Sequence, residues 1–228
     1  MRIFLFVLFF SVLPKLHGQT FGVSFFADYN PMDISGFNAV ISEQLQEPVI
    51  TNAAAFLKLG VGFEANHKKF CMFFSFNSFS PSRQQIADTT YKFGYFRFEW
   101  NLGYHILERR NIGLESYIGW VINDASYDKS FNETYSSLNQ YWSAPYRFKR
   151  IVYNSHFLQI GVRLRSQKIS LSNDLELGFS LRSGVLFPLG TGKIAMESGG
   201  GQKIKVEDLL IEQPFYVGLL ITLSTKEW

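Results

Sequence analysis

Eight stretches of this chain alternate apolar and polar residues with a period of two, and turn-forming residues separate them. Successive side chains of a strand point to opposite faces, so each stretch reads as a strand with one apolar and one polar face. In the first, Phe21, Val23, Phe25 and Ala27 oppose Gly22, Ser24 and Asp28; in the second, Ala55, Leu57, Leu59, Val61 and Phe63 oppose Lys58, Gly60, Gly62 and Glu64. The third sets Phe70, Met72, Phe74 and Phe76 against Cys71, Ser75 and Asn77. The fourth sets Phe96, Phe98, Trp100, Leu102 and Tyr104 against Arg97, Glu99, Asn101 and Gly103. Ile112 to Trp120, Leu158 to Arg165, Leu175 to Arg182 and Phe215 to Ser224 repeat the pattern, with Glu115, Arg163, Arg165, Glu176 and Arg182 on their polar faces. One such stretch carries little weight. Eight define an all-β chain.

The connections carry a second signal. Those around Asn66–Lys68, Glu108–Asn111 and Ser166–Asn173 are short, whereas Asn30–Ala53, Ser80–Thr90, Asn123–Ser155 and Pro188–Gln213 are long. Prolines beyond residue 18 fall in the long connections or at strand edges, where a missing ladder donor costs little. No run of about 18 apolar residues follows Gly18, which excludes transmembrane helices. Strands of about ten residues tilted by about 45° stand roughly 23 Å tall, close to the apolar band of about 25 Å in membrane barrels. In lipid every backbone donor must find a partner within the protein, so such strands have to close into a ring.

Alternation alone allows two barrels: a soluble one of lipocalin type, with an apolar cavity, or a membrane barrel with its apolar face outward. Composition chooses between them. Of 228 residues, 46% are hydrophobic, 17% aromatic and only 18% charged, and phenylalanine occurs 24 times. One narrow lumen cannot hold that many Phe and Leu side chains, whereas the small, glycine-dotted polar face suits an interior. The fold expected is an eight-stranded antiparallel transmembrane β-barrel with short periplasmic turns and four long extracellular loops. Eight strands leave an interior only just wide enough for side chains. The inward charges Lys58, Glu64, Arg97, Glu99, Glu115, Arg163, Arg165, Glu176 and Arg182 are therefore expected to pair with one another in the lumen. A gated path for ions is the alternative use of the same residues.

The N-terminus reads as a targeting signal over residues 1–18, with the barrel domain over 19–228. Arg2 precedes the apolar run Ile3 to Leu13, which is too short to span a bilayer and ends near the small residue Gly18. Without Arg2 and Lys15 the chain holds 20 Lys and Arg against 19 Asp and Glu, a net charge of +1 that argues against nucleic-acid binding. With Cys71 alone, the chain forms no intramolecular disulfide. An exported chain with eight alternating strands, a Gly-dotted polar lumen and three short turns against four long loops resembles the small outer-membrane barrels of the OmpX/OmpA-barrel type. The segment Leu219–Trp228 is similar to the closing strand of that family, with Trp228 in place of the commoner Phe. The resemblance implies the outer membrane of a diderm bacterium, outer-membrane lipids and lipopolysaccharide as surroundings, and the barrel-assembly machinery as a partner during insertion. It supplies no site motif.

Little here points to chemistry. His67 falls in a short turn, and His105 falls near the inner end of the fourth strand, beside Glu108 or Arg109. Ser155 and His156 are adjacent, so their side chains point to opposite faces of a strand and make a poor nucleophile–base pair. No cluster has metal-ligand spacing, no cofactor is implied, and Cys71 reads as a small lumen filler. The long connections hold the candidates for function. Ser35, Phe37, Val40, Ile41 and Leu45 suit a short helix across the barrel mouth, and Val206, Leu209 and Leu210 follow the Gly199–Gly201 run at helical spacing. Tyr135, Tyr141, Trp142, Tyr146 and Arg147, in the third long connection, are residue types enriched at interface hot spots. The reading is a non-enzymatic structural or adhesive surface protein, or an accessory subunit of an envelope complex. A narrow channel, a lipid A-modifying enzyme and a soluble lipocalin-like barrel are the alternatives.

Overall fold

The computed structural model describes residues 19–30, 35–44, 46, 48–49, 57–87, 89–109, 112–131, 148–190, 193–197 and 214–226. Ten strands and one short helical segment follow in order. They are β1 (Gln19–Tyr29), α1 (Ser35–Ala39, continued by a wider helical turn over Val40–Gln44), β2 (Leu57–His67), β3 (Phe70–Ile86), β4 (Thr89–Glu108), β5 (Ile112–Phe131), β6 (Phe148–Ser166), β7 (Ile169–Ser170), β8 (Leu175–Pro188), β9 (Lys193–Glu197) and β10 (Phe215–Thr225). Eight of the strands pair in the order β8-β10-β1-β2-β3-β4-β5-β6, and β6 pairs back onto β8. All these pairings are antiparallel, so the sheet is a closed barrel. Strand β7 adds to β8 at the short-turn end, and β9 adds to β6 beyond the ring at the opposite end.

The polar face points inward. Lys58, Arg97, Glu99, Gln159 and Arg182 are buried, whereas Leu59, Leu102, Ile118, Ile160 and Leu219 are exposed. A water-soluble barrel has the opposite arrangement, so the lipocalin reading is excluded. No helix among the described residues is long and apolar enough to cross a membrane, and the crossing is made by strands. On β4 the outward positions Phe96, Phe98, Trp100, Leu102, Tyr104 and Ile106 are apolar or aromatic. Ten residue steps at a tilt of about 40° give a belt roughly 25 Å tall, the height of the apolar band of an outer-membrane-type barrel.

Beyond the belt the strands continue further than the alternation marks. The connection expected over Ser80–Thr90 is mostly a β3–β4 hairpin, paired as far as Ile86↔Thr89, with Ala87 at its tip in a left-handed conformation (φ 51°). Likewise β5 and β6 stay paired from Asn123↔Ser155 out to Ser130↔Phe148, inside the stretch expected to be a loop. Two physical causes hid these extensions from the sequence. A register shift between Phe79 and Ser82, where Pro81 removes a donor, resets the period of β3. Above the belt, moreover, the outward face meets water, so Asp124, Ser126 and Asp128 replace apolar residues there while Ala125, Tyr127, Ile151 and Tyr153 are buried on the inward face, and the polarity of the two faces reverses. Arg83, Lys92, Asp128 and Arg150 stand side by side across β3, β4, β5 and β6 on this outer extension. Arg150 Nε lies 3.0 Å from Asp128 Oδ1.

The ring is tight enough that inner glycines make room for large neighbours. Gly161 and Gly184 are paired across β6 and β8. A Cβ at Gly161 would lie 2.5 Å from Tyr117, and one at Gly184 would lie 2.6 Å from the Tyr216 hydroxyl. Leu102→Arg, near the middle of the belt, is expected to destabilise the barrel by roughly 2–4 kcal/mol in lipid vesicles, because a cation at the bilayer midplane loses its hydration. Urea unfolding in vesicles measures this, and a neutral result would mean that the outward face does not meet hydrocarbon.

Candidate functional site

The lumen is filled in three levels. At the outer mouth Lys58 (β2) is fully buried and donates to Asn30 Oδ1 (2.7 Å) and to the Tyr95 hydroxyl (3.1 Å), with its ammonium 4.3 Å from the Tyr95 ring centre. The first outer connection runs over this mouth. Ile41, just after α1, is completely buried, and the Tyr127 hydroxyl on β5 donates to the carbonyl of Pro48 at 3.0 Å. This agrees with a helical segment across the mouth. It is shorter than the spacing suggested, and Leu45 lies outside the described residues.

The middle level is built on Arg182 of β8. Its Nη1 donates to Glu99 Oε2 at 2.8 Å and its Nε to Asp28 Oδ1 at 2.9 Å, while Nη2 meets the other Asp28 oxygen. Glu99 Oε1 in turn lies 2.6 Å from Arg97 Nε on the same strand. One guanidinium thus ties β1 to β4 across the interior. Aromatic rings surround it: its carbon lies 4.7 Å from the centre of Phe26, 5.5 Å from Phe73 and 5.6 Å from Tyr216. A cation held against ring faces in a water-poor space gains attraction from each of them. Beside it Tyr117, Val121, Phe157, Leu186 and Tyr216 form an apolar wall, and the Tyr216 hydroxyl bonds to the Tyr117 hydroxyl and accepts from Gln159 Nε2.

The inner level is built on Arg163 of β6. Nη1 donates to Glu64 Oε2 on β2 (2.7 Å), and Nη2 donates to Glu115 Oε2 on β5 (2.8 Å). Strands β6 and β2 stand opposite each other in the ring, so this guanidinium also spans the lumen. Cys71 is buried between the same groups, accepting from Arg163 at 3.3 Å and donating to Glu115 at 3.5 Å. Arg165 donates to His105 Nδ1 (2.7 Å) and Glu108 Oε1 (3.3 Å). Between the middle and inner levels, a void of about 10 Å³ beside Asn101, Arg163 and Arg182 is just large enough for one water.

Seven of the nine charges singled out in the sequence therefore come together in two groups: Arg97, Glu99 and Arg182, and Glu64, Glu115, Arg163 and Arg165. Lys58 stands apart at the outer mouth. Glu176 lies at the inner rim, 3.3 Å from Lys168, outside both groups. Asp28, Glu108 and His105 belong to the groups but were not among the nine charges singled out; His105, expected beside Glu108 or Arg109, shares Arg165 with Glu108, and the inward parity of Asp28 and His105 could have placed them in the lumen. The Tyr117–Tyr216–Gln159 set was also missed, since three neutral residues on three strands carry no local signal. Tyr135, Tyr141, Trp142, Tyr146 and Arg147 lie outside the described residues, as do residues 1–18 and the Gly199–Leu210 stretch. Ser155 is buried on the inner face, whereas His156 faces outward with its ring 5.5 Å from Trp120. Among the described residues no group of three or more His, Cys, Asp or Glu is placed to hold a metal ion.

No protein-family model and no curated protein matches the chain. Among solved structures it is similar to a major outer membrane protein from Thermus thermophilus, at 13% identity and a TM-score of 0.49 over 92% of this chain and 99% of that one. It is also similar to Ail, the attachment invasion locus protein of Yersinia pestis (10% identity, TM-score 0.39, covering 93% and 100%). A third similarity is to the outer membrane protease OmpT from Escherichia coli (6%, 0.40, covering 95% and 98%). At such identities an activity does not transfer from any of them. The closed ring and its apolar belt by themselves make this chain a transmembrane barrel of the outer-membrane type.

Glu99 is the carboxylate shared by two buried arginines. Glu99→Ala is expected to cost roughly 3–5 kcal/mol of unfolding free energy, because it strands buried positive charge. Glu176→Ala, at the partly exposed rim, should cost no more than about 1 kcal/mol. Equal losses on urea unfolding in vesicles would contradict this division of the lumen.

Proposed function

We propose that the protein is a non-conducting, non-enzymatic scaffold of the outer membrane that acts through its outer face. Its role is that of a structural or adhesive surface protein or of an accessory subunit of an envelope complex. The observation that carries this reading is the pair of arginine cross-ties, Arg182 between Asp28 and Glu99 and Arg163 between Glu64 and Glu115, which fill the lumen at two levels. A lumen tied twice across its width by buried ion pairs leaves little room for an aqueous path, and this weighs against the narrow channel. The opposite directions of Ser155 and His156 weigh against a lipid A hydrolase built on that pair.

The outer face is where the chain invests structure beyond what crossing a membrane requires. Strands β3 to β6 continue past the apolar belt as a paired sheet, and the sequence joining β5 to β6 contains Tyr135, Tyr141, Trp142, Tyr146 and Arg147. Aromatic residues with arginine supply rigid contact area at little entropic cost, which suits a protein, glycan or lipopolysaccharide contact. Outer-membrane lipids and lipopolysaccharide surround the barrel in this reading, and the assembly machinery inserts it.

Two measurements test the proposal. Planar-bilayer recordings of the purified barrel are expected to show no discrete conductance steps, and reproducible steps would favour the channel. Native co-purification from gently solubilised membranes, with an affinity tag in the β2–β3 turn, is expected to yield a stoichiometric partner or bound glycan. Replacing Tyr135, Tyr141, Trp142, Tyr146 and Arg147 together by serine should abolish that association and leave the heat-modifiable barrel band intact. Turnover of lipid A that disappears in His156→Ala would overturn the non-enzymatic reading.

A further inference from the structure

Below Arg163 and Arg165 the lumen opens into a vestibule of about 470 Å³ at the short-turn end. Its rim carries one cation on each quarter of the ring: Lys68 from the β2–β3 turn, Arg109 from the β4–β5 turn, Lys168 after β6 and Lys226 after β10. The carboxylates of the vestibule are all engaged with neighbouring groups. Glu64 accepts from Arg163 at 2.7 Å, Glu108 from Arg165 at 3.3 Å, and Glu176 lies 3.3 Å from Lys168. Lys68 and Arg109 are exposed, and the Lys226 ammonium donates to the Ser172 carbonyl at 2.7 Å. Among the described residues, five cationic ones including Arg165 thus line the vestibule against three carboxylates. At its wall, Asn66 Oδ1 and Ser224 Oγ are buried and have no hydrogen-bond partner among the described residues; the amide oxygen needs a donor, and the hydroxyl can donate or accept, from whatever fills the space.

From this geometry we infer that the periplasmic vestibule is a binding site for a small organic anion bearing two or more phosphate or carboxylate groups. A ring of like charges around a concave, low-dielectric mouth focuses its field into the opening, and so favours a multiply charged anion over a singly charged one. The volume lies within the range of about 300–1,000 Å³ typical of small-molecule sites. The four rim cations come from four separate segments, so a compact anion seated centrally reaches several of them at once. Hydroxyl or protonated groups on the same molecule, or water carried in with it, donate to Asn66 Oδ1, and the Ser224 hydroxyl donates to an anionic oxygen. This site opens on the side opposite the outer sheet, and its existence does not depend on the outer-face reading.

Isothermal titration calorimetry on the full chain, folded in a non-ionic detergent, tests the inference with pyrophosphate and citrate as probes. Saturable one-to-one binding of either probe is expected, and which of them binds decides between phosphate and carboxylate chemistry. The affinity should fall with added salt. Lys68→Gln, Arg109→Gln and Lys226→Gln should each weaken binding by roughly threefold to tenfold, and the triple variant by on the order of a hundredfold. All three positions are at the rim, so these variants keep the fold. Lys92→Gln, on the outer extension, should leave binding unchanged. The inference fails if neither probe gives saturable heat, or if the triple variant binds as the parent does. In that event the rim cations serve the headgroups of the inner leaflet and the vestibule holds only water.

Discussion

Hydrocarbon offers no hydrogen-bond partner to a peptide group, and every other feature of this barrel depends on that constraint. A strand with an open edge in the bilayer would strand a row of donors and acceptors at several kcal/mol each. Pairing of β6 with β8, and of β10 with β1, removes the last edges and fixes the number of strands at eight. That number sets the bore. A narrow bore cannot be hydrated like bulk water, so whatever faces inward must be satisfied by other inward-facing groups.

The sequence meets this demand by placing very large and very small residues at facing positions. Glycines at 161 and 184 admit the rings of Tyr117 and Tyr216, and Gly103 lies against the Glu115 side chain. Arginine suits the cross-ties because its planar fork reaches two carboxylates on different strands while its flat faces pack on aromatic rings. Arg182 and Arg163 each do both: Arg182 lies over Phe26 and Phe73, and Arg163 lies 5.8 Å from the Phe73 ring centre. Phe73 is therefore shared by the two levels, and it couples them without a further ion pair.

Where water lay on one side of a strand and protein on the other, or lipid on one side and polar lumen on the other, the fold could be read from the residues alone. The belt segments of all eight strands show this, and their inward positions keep the parity of the alternation, although Phe26, Phe73 and Leu220 are apolar residues on the inward face. Legibility stopped where the contrast between faces changed its sense. On the outer parts of β5 and β6 the inward face turns apolar, with Ala125, Tyr127, Ile151 and Tyr153, while the outward face turns polar, and on β3 a bulge at Pro81 breaks the period, so paired strand read as loop. In the lumen, parity named which charges face inward but not which ones meet. Arg163 and Glu64 are 99 positions apart and lie on strands four steps away around the ring. Such partnerships depend on stagger between strands, a three-dimensional quantity that no local window contains. Glu176 shows the same limit from the other side, since its parity was inward and its height on the barrel, near the rim, gave it a local partner instead.

The row of Arg83, Lys92, Asp128 and Arg150 on the outer extension has a mechanical consequence. A barrel held only by an apolar belt is free to bob in the bilayer, because sliding by one residue pair exchanges one greasy position for another at small cost. Charges fixed on a paired sheet just above the belt act as a plimsoll line. Sinking would drag them into acyl chains, and rising would drag in the rim cations Lys68, Arg109, Lys168 and Lys226 from the periplasmic side. The restoring force is therefore two-sided. The height at which the outer sheet stands above the surface is set between two rows of charge, neither of which belongs to the cross-ties of the lumen.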